Sequence, residues 1–383
     1  MDKFRSFSSI LLVSKRLFSS TQGTSPELPF TVHYLVNRCG IPLEAAITAA
    51  KKVQLRESAT GNAEFVLSFF KSYGFGDTQL ATLITRRPKI LLCRPNTTLK
   101  PKMDFFIENG FEGPFLHELI VRNPSVLRRS VKSQLEPVFD FLRTYIHTFE
   151  ELRIAIRRFG WLLTSQHKSS LKPNVDFLLR EGVTSDRISK FIVYQPRAAV
   201  QSHERVVKTV ESVKRLGVDP KSALFIHAVR VMLSMNETNW NRKIEVLRSL
   251  GWSEEDVHST FRKDPTCLGS SEEKIRKVMD FYLNTAKLDL EMIIKYPKFL
   301  TYGLDSRLRR RHKVIETLIS KDLLKKNKAN CWLFTLSEET FLKKYVHKNL
   351  QEIPDLMKIY EAPPEIEKSV NKKMKTIMTI DRR

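Results

Sequence analysis

The sequence has few of the residues that metal, disulfide or thiol chemistry requires. It holds four cysteines among 383 residues, and they lie far apart at Cys39, Cys93, Cys267 and Cys331. No two of them have the CxxC spacing that is typical of zinc and redox sites. We therefore expect isolated reduced thiols in or near the core, and no metal site.

Long apolar runs and catalytic motifs are also absent from the sequence. No stretch approaches the roughly 18 apolar residues of a membrane-spanning helix. There is no GxxxxGK phosphate loop, no GxSxG, no HExxH and no GxGxxG followed by an acidic residue. We therefore predict no membrane association, no cofactor and no enzymatic activity.

Acidic residues are scarce relative to basic ones. There are 42 Asp and Glu against 65 Lys and Arg, which gives a net charge of +23. The first 25 residues account for three of these charges, so +20 belongs to the rest of the chain. Such an excess favours a polyanionic partner such as nucleic acid, although a basic and merely soluble surface is the alternative.

Residues 1–25 have the composition of an organelle transit peptide. The segment is rich in serine and has four basic residues against the single acidic Asp2. The sequence Arg16–Ser19 resembles a mitochondrial processing pattern, with an arginine a few residues before the cut. We therefore predict a mitochondrial location, with the chloroplast as the alternative.

A four-residue segment recurs along the chain at intervals of 32 to 36 residues. Its copies are Pro88–Leu91, Pro124–Leu127, Gly160–Leu163, Pro196–Ala199, Arg230–Leu233, Pro265–Leu268 and Pro297–Leu300. A fixed period in this range indicates a stacked solenoid, which presents an extended surface rather than a deep pocket.

Each repeat has the signals of two helices and a short turn. A Leu-x-Pro sequence, as at Leu99–Pro101, opens the first helix, because proline is tolerated in a first helical turn. A glycine such as Gly110 ends it, and the second helix stops before the repeated proline. The Pro-x-x-Leu segment is too short for a helix, so we interpret it as a single turn whose leucine fills the junction between repeats.

These signals predict an all-α protein with about seven repeats in a solenoid of either hand. We place a helical cap at residues 26–61, the repeats at 62–324, and a second cap with a charged tail at 325–383. The paired apolar residues of the first helices, such as Phe69–Phe70 and Phe105–Phe106, are assigned to the core.

Together, the Leu-x-Pro opening, the Phe-Leu pair, the glycine turn and Pro-x-x-Leu resemble the mitochondrial transcription termination factor (mTERF) family, in particular its plant-type organellar members. The resemblance covers about residues 62–324. Gly160 and Arg230 depart from it by replacing proline, and Lys287 lies where the last glycine is expected. The resemblance implies a left-handed superhelix with a basic concave groove that binds double-stranded organellar DNA, or in some members organellar RNA.

Three functions stay open. The first is binding of double-stranded organellar DNA, as a monomer, in the regulation or termination of transcription. The second is organellar RNA binding in intron splicing or transcript maturation, for which a pentatricopeptide-like array is the nearest physical alternative. The third is a protein-interaction scaffold without a nucleic-acid partner.

Basic residues recur two positions before the repeated segment and are the candidate phosphate contacts. This basic row consists of Arg86, Arg122, Arg158, Lys263 and Lys295. Further candidates beside it are Arg87, Arg197, Arg309, Arg310 and Arg311, and the candidates for base stacking are Tyr194 and Trp161. The alternative for the row is that helix C-termini attract cations through the helix dipole.

Overall fold

A computed structural model describes residues 29–164, 169–325 and 331–362. The predicted transit peptide and the final charged tail lie outside the described residues. The chain divides into two compact units, which we call unit 1 and unit 2. Unit 1 comprises Met1–His167 and Ile192–Val200, and unit 2 comprises Lys168–Phe191 and Gln201–Arg383.

The described residues form helices and no β-strand, which confirms the predicted all-α repeat fold. The α-helices are α1 Phe30–Asn37, α2 Leu43–Ala50, α3 Gly61–Ser72, α4 Asp77–Arg86, α5 Lys100–Glu108, α6 Gly113–Arg122, α7 Glu136–Tyr145, α8 Phe149–Arg158, α9 Leu171–Arg180, α10 Ser185–Tyr194, α11 Pro196–Ala199, α12 His203–Arg215, α13 Phe225–Leu233, α14 Glu237–Ser249, α15 Glu254–Lys263, α16 Glu272–Asp280, α17 Leu290–Lys295, α18 Arg309–Ser320, α19 Glu338–Phe341 and α20 Leu356–Glu361.

Glycine ends the first helix of a repeat because the chain turns there with positive φ. Gly110 has a φ of +84°, and its N–H donates to the carbonyl of Ile107 at 2.9 Å. The N–H of the next residue, Phe111, reaches back to the carbonyl of Phe106 at 2.9 Å, and the two rings pack edge to face. This Schellman arrangement recurs at Gly74, Gly182, Gly217 and Gly251.

The recurring Pro-x-x-Leu segment forms a short turn in most copies. Turns of 3-10 helix are found at Pro88–Leu92, Pro124–Arg128, Gly160–Leu163, Pro265–Gly269 and Pro297–Thr301. In the copy at Pro196–Ala199 the turn is α-helical. The residue at the end of the four is buried in all copies, including Leu127 and Leu163, so it fills the core as predicted.

The copy at Arg230 corrects the predicted pattern. Here residues 230–233 are the end of α13, which is continuous from Phe225 to Leu233. Arginine has the backbone N–H that proline lacks, so the helix continues where it stops in other repeats. The repeat therefore has no separate turn at this place.

Gly160 replaces proline for a reason of space. A Cβ at this position would lie 1.9 Å from the amide nitrogen and 2.1 Å from Cγ of the Asn123 side chain. The side chain of Asn123 occupies the volume that any larger residue at 160 requires. Gly160 is itself buried and Asn123 is half-buried, so the side chain of Asn123 would have to move to admit a larger residue at 160.

Turns with positive φ also occur near both ends of the described residues. Near the N-terminus, Gly40 has a φ of +64° and the Ile41 N–H donates to the carbonyl of Leu35, six residues back rather than five. Near the C-terminus, Asp322 has a φ of +59° and a 3-10 turn follows at Cys331–Phe334.

Lys287 has the positive φ of the glycine that it replaces, at +54°. The N–H of Leu288 donates to the carbonyl of Tyr282 at 2.8 Å, six residues back, whereas Phe111 after Gly110 bonds back five residues. The departure at this repeat is therefore one of residue type and of hydrogen bonding, although the left-handed turn is kept.

The core is built largely from the predicted apolar pairs. Phe70 and Phe106 are at most 1% exposed, as expected from their place on the first helices. Phe141 and Phe177 are an exception, because both are only half-buried. Phe177 lies at the edge of the core, with its ring 5.8 Å from that of His203.

Candidate nucleic-acid interface

The five residues of the predicted basic row occupy the same structural place. Each is the last residue of a second helix: Arg86 of α4, Arg122 of α6, Arg158 of α8, Lys263 of α15 and Lys295 of α17. All five are exposed. A cation here stabilises its helix through the helix dipole, so the position alone does not require a ligand. Contact of these residues with phosphate stays a prediction.

Two arginines of the row also connect neighbouring repeats within unit 1. Nη1 of Arg86 donates to the carbonyls of Val121 at 2.8 Å and Arg122 at 3.2 Å. Nη1 of Arg158 donates to the carbonyl of Tyr194 at 3.4 Å. These carbonyls are at helix ends, where no intrahelical donor remains. A guanidinium has five N–H groups, so both arginines keep donors for a further acceptor.

Arg122 is partly neutralised by a carboxylate. Its Nη1 lies 3.2 Å from Glu118, and Nε of Arg157 donates to the other oxygen of Glu118 at 3.1 Å. The pair of arginines shares one negative charge, so a net positive charge remains at the end of α6.

A basic groove lies beside the first of the repeated turns in unit 1. It has a volume of about 410 Å³ and is lined by Lys52, Arg86, Arg87, Pro88, Lys89 and Arg128. No carboxylate lines it, and among the described residues the five cations form no ion pair. Lys89 and Arg128 belong to the positive charge that the sequence places beside the basic row. Lys52 was not predicted, because no feature of the sequence brings residues 52 and 128 to the same turn.

Arg87 is the half-buried member of the basic groove. Burial lowers the pKa of Arg87, and the positive charge of Arg128 lowers it further. Both effects disfavour the charged guanidinium. A bound anion offsets them, so the groove is electrostatically suited to a negatively charged ligand.

In unit 2, Lys263 and Lys295 are the exposed cations of the row. Lys263 has no hydrogen bond or ion pair within the part of the chain that the structure describes. The ammonium of Lys295 lies 5.7 Å from the ring centroid of Tyr296. Arg197, on the short helix α11 of unit 1, is also exposed.

The arginine cluster at residues 309–311 does not form one surface. Arg309 is paired with Asp305 at 2.7 Å, and Arg310 is half-buried. Arg311 is fully buried, and its guanidinium hydrogen-bonds to main-chain carbonyls of the last turn, including that of Leu336 at 2.7 Å. The interpretation of Arg311 as a surface phosphate contact is therefore corrected, because the side chain has no exposed area.

Arg311 belongs to a set of basic residues that cap main-chain carbonyls. The set, which the sequence analysis did not identify, comprises Arg129, Arg187, Arg205, Lys243, Lys274, Arg307 and Arg311. Most of the acceptors lie at the end of a repeat's turn, 22 to 35 residues further along the chain. These basic side chains therefore stabilise the packing of neighbouring repeats.

Three aromatic side chains are exposed at or next to the repeated turns. Trp161 is 63% exposed and Tyr194 is 44% exposed, and the guanidinium of Arg158 lies 5.6 Å from the Tyr194 ring centroid. Trp332, which the sequence analysis did not single out, is 42% exposed, with its ring 4.5 Å from that of Tyr296. Trp332 is the second residue of its turn, as Trp161 is of its own.

Other kinds of site find little support in the described residues. They contain no group of His, Cys, Asp and Glu that could hold a metal ion, and none of their helices is long and apolar enough to span a membrane. The four cysteines have free thiols. Burial raises the pKa of Cys39 to about 12, and it also raises the pKa of Cys93, so neither is a reactive thiolate at neutral pH.

Comparison with known proteins gives a consistent result. The family model mTERF matches residues 67–197 and 170–342. The chain is similar to the transcription termination factor MTERF8, chloroplastic, of Arabidopsis thaliana, with 25% identity over 309 residues. The match covers 79% of this chain and 60% of that relative.

Proposed function

The chain belongs to the mTERF family, and from this premise we propose that it is an organellar nucleic-acid-binding protein that acts in transcription or its termination. The basic groove supports the proposal most directly. Five cations surround it without a carboxylate, and a phosphate backbone is the common biological ligand that supplies negative charges at close, regular spacing.

Double-stranded DNA is the proposed target. Cations at equivalent helix ends, such as Arg122 and Lys263, suit a phosphate backbone that is contacted at many points without reading of its sequence. The relative described above is named a transcription termination factor, which favours a role on the organellar genome. We propose binding as a monomer.

Organellar RNA is the second candidate, and the exposed aromatic residues favour it. Trp161, Tyr194 and Trp332 present ring area at the repeated turns. Unpaired bases stack on such rings at about 1–3 kcal/mol per base, whereas the bases of a duplex are already stacked on each other. On this alternative the protein would assist intron splicing or transcript maturation.

The organelle is a separate part of the proposal. The composition of residues 1–25 favours the mitochondrion, and the relative above is described as chloroplastic. A fusion of residues 1–60 to a fluorescent protein, imaged with markers for both organelles, distinguishes them. A diffuse cytoplasmic signal would contradict both.

Two measurements test the proposed partner. Fluorescence anisotropy with matched duplex DNA and single-stranded RNA gives the intrinsic preference of the full chain. Crosslinking in the organelle, followed by sequencing of the bound nucleic acid, gives the target. We expect recovery of DNA; recovery of intron RNA without DNA would replace the first function with the second. If neither is bound in either measurement, the protein scaffold is the remaining function.

A further inference from the structure

We propose that the basic groove binds clustered phosphates, meaning two or more phosphate groups held close together, in preference to one isolated phosphodiester. Two ligands have this chemistry: the triphosphate at the 5′ end of an RNA, and the facing phosphates of two strands across a narrow duplex groove. The inference rests on the proposed function for its biological ligand. The groove's anion chemistry is argued from its residues alone.

The charge of the groove exceeds what one phosphodiester can neutralise. Lys52, Arg86, Arg87, Lys89 and Arg128 line a volume of about 410 Å³, and no acidic side chain lines it with them. A phosphodiester has a single negative charge, so four cations would remain facing one another. A ligand with several adjacent charges balances the group more completely, and this favours clustered phosphates.

Two of the five cations, Arg86 and Arg87, are also held in place before any ligand binds. Arg86 is fixed by its two hydrogen bonds to the carbonyls of Val121 and Arg122. Pro88 fixes the backbone at the start of the 3-10 turn from which Lys89 extends. Arg87 is half-buried at the junction between α4 and this turn. Fixed donors lose little conformational entropy on binding, which favours specific over diffuse attraction.

A larger cleft in unit 2 is lined by charges of both signs. It has a volume of about 940 Å³ and lies between α12 and α14. Its acidic residues Glu204, Glu211 and Glu237 accompany the basic Arg205, Lys208 and Arg215. Lys208 is paired with Glu204 at 2.6 Å. Clefts of the protein are thus not basic by default: the cleft in unit 2 has carboxylates among its lining residues, and the groove in unit 1 has none.

The test uses inorganic tripolyphosphate and orthophosphate as probes of the full chain. A ligand that binds only the folded state raises the melting temperature. At equal ionic strength we expect tripolyphosphate to raise it at concentrations where orthophosphate has little effect. Arg87→Gln and Arg128→Gln should each weaken the affinity for tripolyphosphate about tenfold, because each removes one charged donor. About ten times more tripolyphosphate is then needed for the same rise in melting temperature.

Arg248→Gln is the matched control. It makes the same change of charge and residue type, but Arg248 is exposed in unit 2 and paired with Glu254 at 2.6 Å. We expect its response to tripolyphosphate to equal that of the wild type. Equal responses to the two anions, or equal responses of Arg128→Gln and Arg248→Gln, would overturn the inference.

The source of the phosphates is identified with nucleic acids. An RNA with a 5′-triphosphate is compared with the same RNA bearing a 5′-hydroxyl, and both with a blunt duplex DNA. If the end is the ligand, the triphosphate RNA binds about tenfold more tightly, and Arg128→Gln abolishes the difference. If the duplex is the ligand, Arg128→Gln weakens duplex binding and leaves the two RNAs equal.

The outcomes also separate this inference from the proposed function. Tripolyphosphate binding in the groove without binding of any nucleic acid would contradict the proposed function and leave the groove assignment in place. Nucleic-acid binding that neither Arg87→Gln nor Arg128→Gln changes would leave the proposed function in place and overturn the groove assignment.

Discussion

Replacement of the buried Arg311 by alanine should destabilise the fold without changing the salt dependence of nucleic-acid binding. The side chain has no exposed area. Its Nη1 donates to the carbonyls of Leu333 at 3.1 Å, Phe334 at 3.2 Å and Leu336 at 2.7 Å, and its Nη2 donates to Glu338 at 3.0 Å. The guanidinium thus holds the 3-10 turn at Cys331–Phe334, and the residues just after it, against α18.

The expected cost follows from these contacts. Glu338 is 56% exposed, so its ion pair with Arg311 contributes little by itself. The carbonyl of Leu333 matters more, because a buried acceptor that loses its donor costs about 1–3 kcal/mol. The carbonyls of Phe334 and Leu336 keep a donor in Arg307. The guanidinium also lies 4.7 Å from the centroid of the Phe341 ring, a contact that alanine removes. We expect a loss of about 2–4 kcal/mol in total, from the unpaired carbonyl, the lost ring contact and the cavity that alanine leaves.

Urea denaturation followed by circular dichroism measures this change. Arg309→Ala is the control in the same helix, since Arg309 is 40% exposed and makes only an i,i+4 ion pair with Asp305. It should cost less than about 1 kcal/mol. A stable Arg311→Ala protein whose binding to nucleic acid has a reduced salt slope would refute the reasoning, because Arg311 would then contact phosphate.

Three further predictions concern other parts of the fold. Gly160→Ala should cost about 1–3 kcal/mol in urea denaturation because its Cβ meets Asn123, and the double variant with Asn123→Ala should recover most of the loss. Leu127→Ala, at a side chain that is 4% exposed, should cost about 2–5 kcal/mol by opening a cavity, and a cost below about 1 kcal/mol would contradict its place in the core. Hydrogen bonding from Arg38 lowers the pKa of Glu64 in the folded state. The ionised Glu64 therefore stabilises the fold at any pH above its ordinary pKa of about 4.3. This stabilisation is lost as the pH falls through the lowered pKa. Melting curves should therefore show the wild type above Glu64→Gln at pH 7 and equal to it in strong acid.

The features that local chemistry determines could be predicted from the sequence. Gly110 and its equivalents require positive φ, and Pro88 or Pro124 requires the preceding helix to stop, so spacing alone gave the helices and turns. The same logic failed where another residue adopts the geometry. Lys287 and Asp322 have positive φ without being glycine. The repeat spacing still indicated the turn at Lys287, whereas the turn at Asp322 was not predicted.

The use of each cation could not be predicted. Arg309 and Arg311 are two residues apart in one basic run, yet one is exposed and the other is fully buried. The difference depends on carbonyls that lie more than 20 residues away, and a carbonyl has no residue identity for a pattern to detect. The basic groove was missed in part for the same reason, since Lys52 and Arg128 meet Arg87 only through packing of the repeats.

The salt dependence of nucleic-acid binding is the most direct test of the proposal that cations of this protein bind a phosphate backbone. Binding constants of the full chain for duplex DNA and single-stranded RNA are measured from low to physiological salt, for the wild type and for variants at Lys263, Arg128 and Lys358. We expect the logarithm of the binding constant to fall steeply and linearly with the logarithm of the salt concentration, with slopes reduced by about one unit in Lys263→Gln and in Arg128→Gln. Lys358→Gln should leave the slope unchanged, because Lys358 is paired with Asp355 at 2.7 Å. A flat salt response, or an equal slope in all three variants, would contradict the proposal.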